Sequence, residues 1–275
     1  MRVGNWADKL DHKIELAAAR LRGAARDGRP CAPVRDLLGA TDVPLAYAVQ
    51  AANLSAEVAA GQTMVGRKIG LTAKAVQRQL GVEQPDFGTL LDGMAVEPSG
   101  TIPAGRLLQP KVEAEIAFWL SADLTGSLTS VDDVRSAVAS ASAAIEIVDS
   151  RIAGWDITVV DTVADNASSG MFAVSDRRVP LAGFEPASVR MSLSRNGQLH
   201  STGTGADCLG DPLAALLWLA RTAKELGSPL MAGEVVLSGA LGPMAHVQPG
   251  DRVRAEITDL GVIEVNFAGE ENAHG

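Results

Sequence analysis

Cysteine is nearly absent from this chain, with only Cys31 and Cys208 in 275 residues. They form neither a metal-ligand spacing nor a disulfide framework, and a reducing cytoplasm is the expected setting. Aromatic residues make up only 4%, which excludes the stacking platforms that bind single-stranded nucleic acids. Positive charge is also in deficit. A net charge of -9 and a pI near 5.0 argue against a phosphate backbone as partner. An anionic small substrate would need a local positive site. No apolar run reaches membrane-spanning length, and the charged first ten residues lack the apolar core of a secretory signal, so no membrane association is expected. The four histidines do not pair with Ser or Cys, which leaves a Ser/His or Cys/His hydrolase without support. His246 reads as a surface or rim residue. Gly203-Thr-Gly205 with Gly210 lacks the spacing and the strand–helix context of a dinucleotide site.

What is present is an ordinary core-forming composition, 47% hydrophobic and 21% charged. Trp6, Leu10, Ile14, Ala17 and Leu21 predict a helix from about Asn5, a possible cap, to Gly28. A second helix is expected over Leu45–Ala59. Met64–Leu71 reads as a buried strand, followed by a short helix capped by Thr72, with Val76 and Leu80 inward and Gly81 as its stop. Strands are expected at Val112–Leu120 and Ala144–Val148, with a helix opened by Ser130 and Asp133 between them. Asn196-Gly197 marks a hairpin between Arg190–Arg195 and His200–Gly203. Asp211-Pro212 opens a helix that Gly227 closes. Glu234–Ser238, Arg252–Ile257 and Val262–Phe267 read as late strands. The class is α+β, with a helical section over residues 1–62 and a β-rich unit over 63–275.

The strand Val112–Leu120 carries the chemistry. Its period of two points Glu113 and Glu115 to one face and Val112, Ala114, Ile116 and Phe118 to the other. Glu146 lies between two isoleucines further on. Singly, each reads as a solvated position or a core ion pair. Together, in apolar surroundings, they point to a bound cation. An oxygen-only donor set selects a hard ion, Mg²⁺ or Mn²⁺. Such an ion can chelate a 2-oxo acid and stabilise its enolate.

Other polar stretches have two readings each. Lys68, between Gly66 and Gly70, is either a surface lysine or a partner for an anion. Asp86, in Gln84-Pro-Asp-Phe-Gly88, is either a turn cap or a pocket residue. The segment 161–170 is either a solvated loop or the lining of a polar pocket. Gly239-Ala-Leu-Gly-Pro243 is either a plain turn or a set of N–H groups for a carboxylate.

Arg67–Thr72, Gln84–Leu90, Gln109–Ala117, Glu146–Ile152, Val163–Ser168 and Gly239–Met244, in this order, resemble the 2-keto-4-pentenoate hydratase family of the fumarylacetoacetate hydrolase superfamily. The similarity runs from about residue 45 to Phe267. The resemblance implies a mixed β-roll core behind a helical N-terminal part, and a homo-oligomer such as a pentamer or decamer. It implies water addition to 2-hydroxypenta-2,4-dienoate, or an alkyl homologue, in meta-cleavage degradation of aromatics or steroids. The metal triad falls on Glu113, Glu115 and Glu146, and the active-site lysine on Lys68. The pocket aspartate and serine fall on Asp86 and Ser168, expected as base and orienter for water. Leu71, Gln84, Asn166, Ser238, Gly239 and Ala240 are the expected substrate contacts. The rival readings are a 4-oxalocrotonate decarboxylase and a catalytically silent partner subunit of a hydratase–decarboxylase complex.

Overall fold

The computed structural model describes residues 4–74, 77–78 and 82–269, with side chains from residue 8 onward. The expected cap at Asn5 with Trp6, and the short helix with Val76, Leu80 and Gly81, lie outside the described side chains and residues. Helix α1 spans Gly4–Asp27 and buries Ala17, Ala18, Leu21 and Ala24 as one apolar stripe. A single turn, α2, covers Arg35–Leu38. Helix α3, Val43–Ala59, starts two residues before the expected point. Asp42 caps it, its side chain accepting from Leu45 N at 3.1 Å.

The strands begin with β1 (Met64–Gly70), β2 (Asp86–Leu91), β3 (Ala95–Val96), β4 (Thr101–Ile102) and β5 (Lys111–Leu120). After β5 comes helix α4 (Val131–Arg135), closed at its start by the Ser130/Asp133 capping box. Then follow β6 (Val138–Val148), helix α5 (Val159–Ala164) and β7 (Ser169–Val174). The hairpin β8 (Arg190–Arg195) and β9 (Gln198–Thr204) turns at Asn196-Gly197, both in the left-handed region. Helix α6 (Pro212–Glu225), β10 (Val235–Leu237), β11 (Ala245–His246), β12 (Arg252–Ile257) and β13 (Gly261–Phe267) complete the described order.

Two mixed sheets result. The larger has the order β2-β1-β10-β5-β6-β7-β3, with β11 beside β5. The smaller runs β4-β13-β12-β8-β9. One face of β5, with Val112, Ala114, Ile116 and Phe118, shares the main core with Val253, Ala255, Ile263 and Val265 of the small sheet and with α6. The opposite face of the large sheet forms a second cluster of Leu90, Ala117, Ala144, Phe172, Val235 and Leu237. Leu90 sits on the strand at one end of the path and Phe172 near the other end, so the sheet must curl for them to meet. Asn166 fastens the curl, its Oδ1 accepting from Thr89 N at 2.8 Å and its Nδ2 donating to Thr89 O at 2.9 Å. The helical section packs onto the β-rich part through a third cluster, in which Ala17, Leu21 and Val49 meet Val160 and Val163 of α5.

Three local expectations are corrected. The segment 161–170 is not a solvated loop: it is the end of α5, a 3-10 turn and the start of β7, with Asp161 and Asp165 buried. Asp161 is covered because it accepts hydrogen bonds from Thr158 N, Val34 N and Arg35 N, which pins α2 to α5. The expected turn at 84–88 becomes strand from Asp86 onward, because β2 pairs antiparallel with β1. β6 starts at Val138, six residues before the expected start, through an Ala/Ser run whose weak strand preference is overridden by pairing with β5.

Candidate active site

The long β5–β6 ladder sets the site. Its register places Glu113 directly opposite Glu146, with Glu115 two residues along the same face. One carboxylate oxygen from each lies within 4.8 Å of the others. Like charges this close oppose sheet formation unless something positive joins them. Lys68 on β1 supplies one charge, with Nζ 3.0 Å from Glu146 Oε1. The approach is off the hydrogen-bond direction, and both Glu146 oxygens and Glu115 Oε1 remain buried without a hydrogen-bond partner. Glu115 Oε2 accepts from Gly239 N at 2.8 Å. Gly239 has φ of +100°, and a Cβ there would lie 2.4 Å from Thr72 Cγ2, so glycine lets the backbone reach this carboxylate.

The electrostatics follow from burial. Burial raises Glu115 well above the usual carboxylate range, and the charges of Glu146 and Glu113 raise it further. Glu113 rises to about 7, again through burial first and Glu146 second. Lys68 is buried, which lowers its pKa, but Glu146, Asp86, Glu113 and Glu115 outweigh this and raise it overall. Three acids share one lysine, and one oxygen from each lies within 4.8 Å of the others. This donor set fits a hard divalent cation.

Asp86, the first residue of β2, lies beside β1. A Cβ on Gly70 would sit 2.2 Å from Asp86 Oδ1 and 3.5 Å from Lys68 Nζ, so Gly70 makes room for both groups. Both Asp86 oxygens are buried without a hydrogen-bond partner. Burial pushes its carboxyl up to about 6 against the opposing pull of Lys68. Ser168 follows α5 and shares a 3.2 Å hydrogen bond with Thr162.

A cavity of about 930 Å³ opens above these groups, lined by Lys68, Asp86, Glu113, Ser168, Leu71 and Ala240, among others. Leu71 adopts φ of 57°, which turns the chain away from β1. The remaining expected contacts stand apart from the lining. Gln84 is exposed, because it precedes β2 outside the cavity. Asn166 spends its amide on β2. Ser238 is fully buried and braces β5, its Oγ accepting from Ile116 N at 3.2 Å. Gly239 reaches the site through its N–H to Glu115. The cavity residues not anticipated include Lys111, Trp155 and Thr162. Lys111 was legible, since residues 111, 113 and 115 share one strand face. Thr162 was not, because α5 was read as loop.

The model of the fumarylacetoacetate hydrolase C-terminal family matches residues 65–268. The chain is 50% identical over 254 residues to 2-keto-4-pentenoate hydratase 2 of Dechloromonas aromatica (strain RCB), covering 92% of this chain and 97% of that one. This chain belongs to the 2-keto-4-pentenoate hydratase family, within the fumarylacetoacetate hydrolase superfamily. Another family relative, the 2-hydroxyhexa-2,4-dienoate hydratase of Comamonas testosteroni, is 40% identical over 256 residues, 92% of this chain and 97% of that one. The superfamily also includes 4-oxalocrotonate decarboxylase from Pseudomonas putida G7, solved with magnesium and adipate. It superposes with a TM-score of 0.89 at 30% identity, covering 94% of this chain and 97% of that one.

Proposed function

We propose that this chain is a metal-dependent hydro-lyase that converts 2-hydroxypenta-2,4-dienoate, or a short alkyl homologue, to the 4-hydroxy-2-oxo acid. The carrying observation is the convergence of Glu113, Glu115 and Glu146 oxygens within 4.8 Å of one another, with Glu113, Lys68 and Asp86 lining one cavity. The hydratase relatives support the reaction class, and the C. testosteroni enzyme supports a homologue with a longer tail. The three glutamates would hold a divalent cation. When bound, this cation supplies positive charge where negative charge develops on a 2-oxo acid. Magnesium in the decarboxylase structure supports a hard ion, and the all-carboxylate donor set fits Mg²⁺ or Mn²⁺.

The chain's own groups then have separate tasks. Lys68 neutralises the substrate carboxylate and holds a fixed positive charge beside Glu146. The dienol loses its 2-hydroxyl proton and gains one at carbon 5, giving the conjugated 2-oxo-3-enoate. Water then adds its hydroxyl to carbon 4 and a proton to carbon 3. Asp86 is the proton carrier for these transfers, since a carboxyl with a pKa near 6 exchanges protons readily near neutral pH. Ser168 and Thr162 orient the water. The assembly we propose is a homo-oligomer, a pentamer or decamer, able to pair with a related decarboxylase. Light scattering of the purified protein measures its mass.

The test mixes protein, Mg²⁺ and freshly made 2-hydroxypentadienoate, then follows dienol absorbance and CO₂. Loss of the dienol without CO₂ supports the hydratase. CO₂ release from the dicarboxylic analogue would instead favour the decarboxylase, and silence with both substrates would favour a silent partner subunit.

A further inference from the structure

Lys111 lies two residues before Glu113 on β5, so it projects from the same face toward the cavity. Its Nζ rests 3.9 Å from the centroid of the Trp155 ring. Among the described residues no carboxylate forms an ion pair with it; burial lowers its pKa and the charge of Glu113 partly opposes this. An ammonium held on an aromatic face keeps its N–H donors available to a third party.

The surroundings of Trp155 are built to keep the ring there. Gly154 and Trp155 adopt left-handed φ values of 65° and 56°, which fold this segment back toward β5. Trp155 Nε1 donates to Gln109 O at 3.0 Å, and Gly154 N donates to Gln109 Oε1 at 2.7 Å. Gln109 Nε2 donates in turn to Ser150 O and Ile152 O at 2.9 and 2.8 Å. One glutamine thus ties the Trp155 turn to the strand that carries Lys111. A non-glycine residue in the left-handed region is a strained choice, retained only where the surroundings fix it.

Charge counting says what Lys111 does. Glu113, Glu115, Glu146, Asp207 and ionised Asp86 total five negative charges, while Lys68, Lys74 and a divalent cation total four positive ones. Without Lys111 the loaded cavity would repel an anionic substrate. With it, the sum is zero, and protonation of Asp86 makes it positive. We propose that Lys111, seated on Trp155, is a substrate-positioning residue that draws a small 2-oxo or 2-hydroxydienoic carboxylate into the cavity and takes no part in the proton transfers. The proposal rests on the hydratase reading of this site.

The test compares Lys111→Gln, Lys111→Arg and Trp155→Leu with the parent protein, all loaded with Mg²⁺. Lys111→Gln should raise KM about tenfold, the scale of one charge-assisted contact, with a much smaller change in kcat. It should flatten the ionic-strength dependence of kcat/KM and leave the pH profile of kcat in place. Lys111→Arg should restore most of the KM, and Trp155→Leu should give a smaller rise. Calorimetric titration with oxalate gives a second readout that needs no turnover, and Lys111→Gln should weaken oxalate by a similar factor. A Lys111→Gln variant with parental KM, salt response and oxalate affinity overturns the proposal, as does one that loses kcat at unchanged KM. If the parent protein binds oxalate but does not turn over the dienol, the hydratase reading falls while the oxalate comparison still decides the role of Lys111.

Discussion

Glu115→Gln is the substitution in which the opposing demands of folding and metal binding separate most clearly. In the apo protein Glu115 is buried within 4.8 Å of two other carboxylates, and one of its oxygens has no partner. Two ionised carboxylates at that distance repel by about 3.5 kcal/mol at an effective dielectric constant of about 20. Proton uptake by the cluster relieves part of this. The amide of Gln keeps an acceptor for Gly239 N while removing a charge. The apo variant is therefore expected to be at least as stable as the parent, by up to about 1 kcal/mol. The loaded state reverses the order. Metal at a hundredfold excess over its Kd stabilises the parent by about 2.7 kcal/mol. A hundredfold loss of affinity in the variant leaves about 0.4 kcal/mol at the same metal concentration. At roughly 2–4 °C per kcal/mol for a domain of this size, the Mg²⁺-induced rise in Tm should shrink by about 5–9 °C. Thermal unfolding by circular dichroism, in EDTA and across a Mg²⁺ series at fixed pH, measures both terms. An unchanged Mg²⁺-induced shift would refute the assignment of Glu115 to the metal. An apo Tm several degrees below the parent would refute the argument that its charge is a burden on the fold.

The remaining predictions concern pH, packing and the position of Asp86. Glu113 and Asp86 sit near 7 and 6 in the folded apo protein, above their ordinary values. Between about pH 4 and 7 the folded state therefore holds protons that the unfolded chain has released. These groups should make EDTA-treated protein less stable as pH rises through that window, while metal-induced stabilisation grows because binding displaces the same protons. Thermal melts from pH 5 to 8 with and without Mg²⁺ should diverge, and parallel curves would count against the cluster. Asp161 behaves oppositely: burial works against its charge, but hydrogen bonds from Arg35 and Thr158 prevail and lower its pKa. Its stabilisation should be complete above about pH 4 and be lost as acid titrates it below that. Asp161→Ala leaves Val34 N and Arg35 N without their acceptor and should cost about 3 kcal/mol, read as a lower urea midpoint with little change in kcat per folded molecule. Gly70→Ala should place its Cβ 2.2 Å from Asp86 Oδ1 and force that carboxylate aside. Turnover should fall by roughly a hundredfold, the scale of losing a positioned acid–base group, while metal-induced stabilisation persists. Full activity in this variant would remove Asp86 from the reaction.

The sequence alone was enough to determine the α+β class, the long helices, the Asn196-Gly197 hairpin and the shared face of Glu113 and Glu115. All of these depend on local periodicity and turn chemistry, which neighbouring residues carry. The grouping of Glu146 with its two partners was legible as well, from its apolar neighbours and from motifs that in order resemble a known family. Tertiary structure decided the rest. That Glu146 stands opposite Glu113 is a matter of strand register, set by the whole β5–β6 ladder. The burial of Asp161 and Asp165 depends on helices and strands distant in sequence, so their acidity suggested solvent where there is none. Asn166 and Ser238 were expected at the substrate, but curling the sheet uses the amide of one, and bracing β5 uses the hydroxyl of the other. Lys111 meets Trp155 only because a left-handed turn 44 residues downstream folds back over its strand. Such contacts form at long sequence separation, where pairing and burial, rather than local preference, determine which polar groups meet.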